Sequence, residues 1–221
     1  MDSHEPTVIE KVRRALGRTK PLEQAPIPPI IDEPIARLIG ADVNLPDLFA
    51  TRATDMKMKV AVVSGADLVS QLIQFLRENN CKKLALSSSQ LIERLNILPT
   101  LQAAGFDAKR WDQISLDEIY DGYDCSITDV SYAVAETGSL VVEPSAAHGR
   151  ALSLVPLVHV AIVEPKCILP DLLDLMKKLA EPECPRSNVI LITGPSKTAD
   201  IEMNVVTGVH GPNLVKIFLL S

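Results

Sequence analysis

Residues 158–163, Val-His-Val-Ala-Ile-Val, form a nearly unbroken apolar run. A strand with one wet face alternates apolar and polar side chains. A run that is apolar almost throughout is instead covered on both faces, as in a parallel sheet. Residues 189–193 and 214–219 are two further apolar strands, and shorter β-prone pieces lie at 58–63, 84–86, 106–111 and 125–128. Between them run helical stripes. Over 66–79, Leu68, Val69, Leu72, Ile73 and Leu76 share one face, and Asn79-Asn80 can end the helix. Over 170–180, Pro170 stands early, Leu172, Leu175, Met176 and Leu179 share a face, and Lys177-Lys178 come late. Residues 89–95 and 99–104 are shorter helical pieces. Strands alternating with helices imply an α/β layered fold.

A length of 221 residues suits one domain, or one domain plus an arm. Residues 6–17 predict a helix, with Val8, Ile9, Val12 and Leu16 on one face and Gly17 at its end. Five prolines in residues 19–34 then make a stiff, extended segment. The expected division is an amphipathic helix over 1–18, a proline-rich linker over 19–49 and the α/β body over 50–221. Docking of the arm on another subunit and folding back onto its own body both remain open.

The core must be aliphatic, because 47% of residues are apolar and only eight are aromatic. A net charge of −6 and a pI near 5.3, with no basic run, argue against a nucleic-acid surface. Cys81, Cys125, Cys167 and Cys184 are scattered and form no CxxC, so neither a zinc knuckle nor an iron–sulfur ligand run is present. They read as reduced thiols of a cytoplasmic protein. The N-terminus lacks the apolar region of a signal peptide, and 151–163, broken by Pro156 and His159, is too short to span a bilayer. No His/Asp/Glu grouping has metal-ligand spacing, so neither metal nor cofactor is expected.

Four stretches carry candidate chemistry: 135–140 (AETGSL), 148–153 (HGRALS), 192–202 (ITGPSKTADIE) and 208–212 (GVHGP). In the first, Glu136 flanks a Thr137-Gly138 turn and can act as base, nucleophile or ligand contact, or can bond nearby backbone N–H groups. In the second, His148 and Gly149 precede Arg150, whose fork suits a carboxylate or phosphate and equally suits a structural salt bridge. In the third, the apolar run ends at Thr193-Gly194-Pro195. Ser196 or Thr198 can cap a helix there, with Asp200 and Glu202 in its first turn and Lys197 as the cation for an anion. In the fourth, His210 and Gly211 lie in a glycine-flanked turn. His159, inside its apolar strand, reads as a core histidine. One shared cleft is expected, with Arg150 within about 20 Å of the 194–198 turn, two Debye lengths at 0.1 M salt.

These four motifs, in this order and spacing, together with the "RRALGR" that ends the first helix, resemble the LUD-domain family of lactate-utilisation proteins. The resemblance covers residues 50–221. It implies an open α/β sheet with helices on both faces, similar to ribose-5-phosphate isomerase and the CoA transferases. It implies a part in oxidising L-lactate to pyruvate, within a three-component bacterial system whose sister component fuses a LUD domain to iron–sulfur cysteine motifs. This chain lacks those motifs, which puts it on the cluster-free side of the family. The expected partners are that iron–sulfur subunit and a small anionic ligand, with a homo-oligomer left open and with neither nucleic acid nor membrane. The family supplies no agreed catalytic residue here. Similarity to the glutamate of CoA transferases points to Glu136 as a nucleophile under the alternative reading, an enzyme acting on a phosphorylated or CoA substrate. The remaining motif positions are carried as ligand contacts.

Overall fold

A computed structural model describes residues 7–17, 37–40, 42–181, 188–199, 205–207 and 211–221. Residues 1–36 and 37–221 are separate compact units. In the first, α1 (Val8–Ala15) begins at a capping box: Thr7 accepts from the Glu10 N–H, and the Glu10 carboxylate accepts from the Thr7 N–H.

The second unit runs α2 (Leu45–Asp55), β1 (Lys59–Val63), α3 (Leu68–Glu78), β2 (Lys83–Leu86), α4 (Gln90–Arg94), α5 (Ile97–Ala103) and β3 (Asp107–Arg110). After a 3-10 turn at Trp111–Gln113 come α6 (Leu116–Gly122), β4 (Cys125–Asp129), β5 (Tyr132–Val134), β6 (Ser139–Val142), α7 (Arg150–Leu154) and β7 (Val158–Val163). The chain continues through β8 (Ile168–Leu169), α8 (Leu172–Ala180), β9 (Ile190–Ile192), β10 (Lys197–Ala199), β11 (Val205–Thr207) and β12 (Leu214–Leu220).

Six strands form a parallel sheet in the order β1-β12-β7-β4-β2-β3. The fold is therefore α/β. Strand β7 is buried at every position, as its nearly unbroken apolar run predicts. Val158, Val160 and Ile162 face one core with α3, α4 and α5. Ala161 and Val163 face a second core, built from α2 and a smaller sheet of order β8-β5-β6-β9. Leu84 and Leu86 are fully buried in the first core, each worth about 1.5–3 kcal/mol of burial. One face of the main sheet thus carries helices, and the other carries a helix and a second sheet.

Two local expectations differ from the structure. Helix α2 begins at Leu45, inside the segment read as linker, where Asn44 caps it and Phe49 and Ala53 enter the second core. The helix expected to open after Ser196 does not include Lys197–Ala199, and residues 200–204 lie outside the described residues. Lys197–Ala199 is instead a strand paired antiparallel with Val205–Thr207. The β-branched Val205-Val206-Thr207 run supplies a ladder partner, and that pairing outweighs a local cap signal.

Candidate functional site

Strands β2 and β4 are neighbours, but the chain leaves their carboxyl ends toward opposite faces. From β2 it passes into α4 and α5 of the first core, and from β4 into β5 and β6 of the second. Such a parting opens a crevice at the strand ends, where open α/β sheets bind ligands. Ser87 and Asp129 stand there, and the Ser87 hydroxyl donates to Asp129 Oδ1 at 2.9 Å.

The segment 144–155 forms the next wall. Ser145 and His148 exchange backbone hydrogen bonds, and the Ser88 N–H donates to Ala147 O at 2.9 Å, tying this segment to the end of β2. Gly149 caps α7. It lies so close to the indole of Trp111 that a Cβ here would stand 2.6 Å from Cε3 and Cζ3. Trp111 is anchored by its neighbour Arg110, which donates to Ser88 Oγ at 3.2 Å and grips Asp112 with both Nε and Nη2. The segment 144–155, the turn at Trp111 and α6 enclose a cleft of about 520 Å³, walled by Trp111, Ile114, Tyr120, His148, Arg150 and Leu154 among others. That volume is typical of a site for a small organic molecule.

The cleft floor holds unmet hydrogen-bonding groups. His148 is 7% exposed. Its Nδ1 lies 3.9 Å from Asp129 Oδ1, and its Nε2 has no partner. Trp111 Nε1 is likewise buried without one. Beneath them, His159 Nε2 bonds Thr128 Oγ1 at 2.9 Å, while His159 Nδ1 and the Oγ of its cross-strand neighbour Ser126 have no partner. Burial holds the His148 imidazole below the ordinary histidine range, against the opposing pull of Asp129. His159 is driven down to about 3, first by burial and then by His148. Both rings are therefore neutral near pH 7.

Only part of the expected cluster gathers here. His148, Gly149 and Arg150 line the cleft. Glu136 lies elsewhere: its carboxylate accepts from the Leu172 N–H at 3.4 Å, at the start of α8. Thr137, Ser139 and Thr193 form a chain of hydroxyls with two 2.7 Å contacts. Gly138 sits at φ +67°, with space for no Cβ against the backbone of Ala53, so this turn is a packing seam between the small sheet and α2. Gly194 approaches Met56 O on that side. Ser196 donates its N–H to Pro212 O at 2.8 Å and sits against Gly211, which also approaches Leu154 O. Following those contacts down the one-turn α7, the Arg150 backbone is within about 16 Å of Ser196. Pro195 is half-buried, and Lys197 and Thr198 belong to β10. Asp200, Glu202 and His210 lie outside the described residues. With Lys197–Ala199 in a strand, no helix start at Ser196 offers an anion cradle among the described residues.

Sequence reasoning missed Asp129, Ser87 and Trp111. The signal for the first two was polar residues directly after short apolar strands, where parallel strands present ligand contacts. Trp111 carried no such signal. Among the described residues no group of three or more His, Cys, Asp or Glu could hold a metal ion, and no helix is long and apolar enough to cross a membrane.

Comparison with known proteins gives a consistent family. The LUD domain matches residues 47–220. The chain is 31% identical over 218 residues to the uncharacterised protein YkgG of Escherichia coli K12, covering 92% of each chain. It is 28% identical to lactate utilization protein C of Bacillus pumilus, covering 70% of this chain and 69% of that one. It is 37% identical to the Bacillus subtilis protein of the same name, over 43% and 41% respectively. A crystal structure of a DUF162 family protein from Deinococcus radiodurans shares the fold, with a TM-score of 0.58 at 21% identity over 80% of this chain and 96% of that one. The domain match spans the whole second core, the main sheet and the cleft walls, and on that ground the chain belongs to the LUD domain family.

Proposed function

We propose that this protein is a cluster-free component of an L-lactate-oxidising system and that it holds a small organic anion in the cleft beside His148. The relatives named lactate utilization protein C support the pathway. The single observation that carries the ligand site is the pair of buried, unpartnered nitrogens, His148 Nε2 and Trp111 Nε1, in walls of one cleft. Buried polar groups are nearly always hydrogen-bonded, so unmet ones point to a bound partner. Arg150 in the same wall supplies the positive charge. The redox chemistry belongs to an iron–sulfur LUD-domain partner, and this chain acts with it as an accessory or ligand-holding subunit.

A second reading, an enzyme acting on a larger phosphorylated or CoA-linked substrate, draws on the cleft volume, since a three-carbon acid fills little of it. Glu136 as its nucleophile would have to leave the start of α8.

The test is a thermal-shift screen of the full chain with L-lactate, pyruvate, sugar phosphates and CoA, paired with co-purification against the iron–sulfur partner. A ligand at a hundred times its Kd stabilises by about 2.7 kcal/mol. The expected result is a shift from lactate or pyruvate, lost in Arg150→Ala, and stable co-purification. A shift from CoA or a sugar phosphate alone selects the second reading.

A further inference from the structure

We infer that Asp129 and His148 form a proton-accepting dyad, with the unprotonated Nε2 of His148, buried and unpartnered in a residue that lines the cleft, taking a proton from a hydroxyl-bearing organic ligand. The inference deepens the ligand reading above and rests on it for the ligand class, a hydroxy acid.

The geometry orders the two ring nitrogens. Nδ1 is the nitrogen nearer Asp129, 3.9 Å from Oδ1. That distance exceeds a formed hydrogen bond, and contacts of this kind commonly tighten when ligand binds. A carboxylate can only accept, so it favours the tautomer with the proton on Nδ1. The lone pair is then on Nε2, which has no partner within the protein. Asp129 is itself fixed, because Ser87 donates to the same Oδ1 at 2.9 Å from the end of the adjacent strand. His148 is fixed by its paired backbone bonds with Ser145.

The titratable groups interacting with the ring are Asp129 on β4 and His159 on β7, with Tyr120 on α6 and Arg150 on α7 in the same cleft, and His159 is itself neutral. No second positive histidine therefore competes with the imidazolium. Burial keeps the resting ring neutral, so a base is available at pH 7. In the step, the ligand O–H bond breaks and an Nε2–H bond forms. The electron pair stays on the ligand oxygen, and the new imidazolium is held opposite the Asp129 carboxylate. Reversal returns the proton, so no further reactant is required. Asp129 is a positioning residue, since it acts through His148.

The test is nitrogen-15 NMR of the histidine side chains in the full chain between pH 5 and 9. Wild type is compared with Asp129→Asn, Asp129→Glu and Ser87→Ala, and His148→Gln assigns the signal. The expected result is one dominant Nδ1–H tautomer in wild type, a move to comparable populations in Asp129→Asn, and recovery in Asp129→Glu. A dominant Nε2–H tautomer, a ring already protonated at pH 7, or a tautomer indifferent to Asp129 would overturn the dyad. If Asp129→Asn does not fold, Ser87→Ala carries the test through a measurable loss of the Nδ1–H preference, and no loss counts against the dyad. Trp111 fluorescence with L-lactate as probe is recorded in parallel. An unmoved signal sinks lactate as the ligand, whereas the tautomer result judges the dyad separately.

Discussion

Replacing Gly149 with alanine separates two physical effects of opposite sign. Gly149 has φ −75° and ψ 142°, a conformation open to any residue. On backbone grounds alone, Gly→Ala would stabilise the protein by about 0.4–1 kcal/mol, through a less flexible unfolded chain. The new Cβ, however, would stand 2.6 Å from two ring carbons of Trp111 and 3.2 Å from a third. Carbon atoms rest at about 3.5–4.0 Å, so the ring must retreat by roughly 1 Å. Overpacking of that kind costs about 1–3 kcal/mol, and a rigid indole held by the Arg110 network has little room to yield. The steric cost should win, giving a net loss of about 1–2 kcal/mol. For a domain of this size that lowers Tm by roughly 2–8 °C. Trp111 is the single tryptophan in the sequence, so its fluorescence reports the same event locally: the emission maximum should move as the ring leaves its seat. At Gly65 a Cβ would meet no atom within 4 Å, so Gly65→Ala is the matched control and should be neutral or slightly stabilising. A Gly149→Ala protein with unchanged emission and equal or higher Tm would refute the contact and, with it, the shape assigned to this wall of the cleft.

Stability should fall as pH drops from about 6.5 toward 3. His159 has a folded value near 3, below its unfolded value, so the unfolded state binds the extra proton in that window. The slope from this residue is about 1.4 kcal/mol per pH unit, and urea titrations of His159→Gln should show it flattened. Asp124→Ala should cost about 2–4 kcal/mol, because one carboxylate oxygen accepts from both the Lys82 and Lys83 N–H groups, at 2.8 and 2.9 Å; a denaturant midpoint within error of wild type would refute this. Arg37→Ala should lower Tm by several degrees, since Arg37 grips Asp174 at 2.7 Å and lies 3.5 Å from Asp171, whose side chain is almost fully buried. Arg37→Lys should recover only part of it, having lost the two-pronged grip.

The centre of the sheet was legible because burial on both faces leaves a mark in a strand such as β7, whereas the edge strands β1 and β3 carry exposed residues. The run at 158–163 and the stripe at Leu68, Leu72 and Leu76 needed no knowledge of their partners. The turn at Glu136–Gly138 was legible from turn chemistry alone. What failed depended on partners outside the local sequence window. Lys197–Ala199 is a strand because Val205–Thr207 lies beside it, and a window ending at Glu202 contains a convincing helix cap instead. In the site, the HGR motif was visible as residues, but its wall was not. Trp111 meets Gly149 across 38 positions, and Ser87 meets Asp129 across 42. Neither pairing leaves a periodic trace, because each is made by strand order in the parallel sheet.

Strand order also decides between the two polar regions of this domain. The Thr137, Ser139 and Thr193 hydroxyls satisfy one another at 2.7 Å, and Gly138 presses their turn onto the backbone of α2. Such a region is complete, and its polar groups are accounted for by the packing of the small sheet. Beside the cleft the opposite holds: His148 Nε2 and Trp111 Nε1 are buried without protein partners, and so, toward the amino ends of β4 and β7, are Ser126 Oγ and His159 Nδ1. Each unmet buried polar group costs about 1–3 kcal/mol, a large fraction of a typical domain's net stability of about 5–15 kcal/mol. A fold that keeps two of them, on His148 and Trp111, in residues lining one cleft is under-satisfied there for a reason other than its own packing. The hydroxyl seam holds the second sheet in position, and on the reading proposed above ligand chemistry falls instead to the separate cleft between Trp111, α6 and α7.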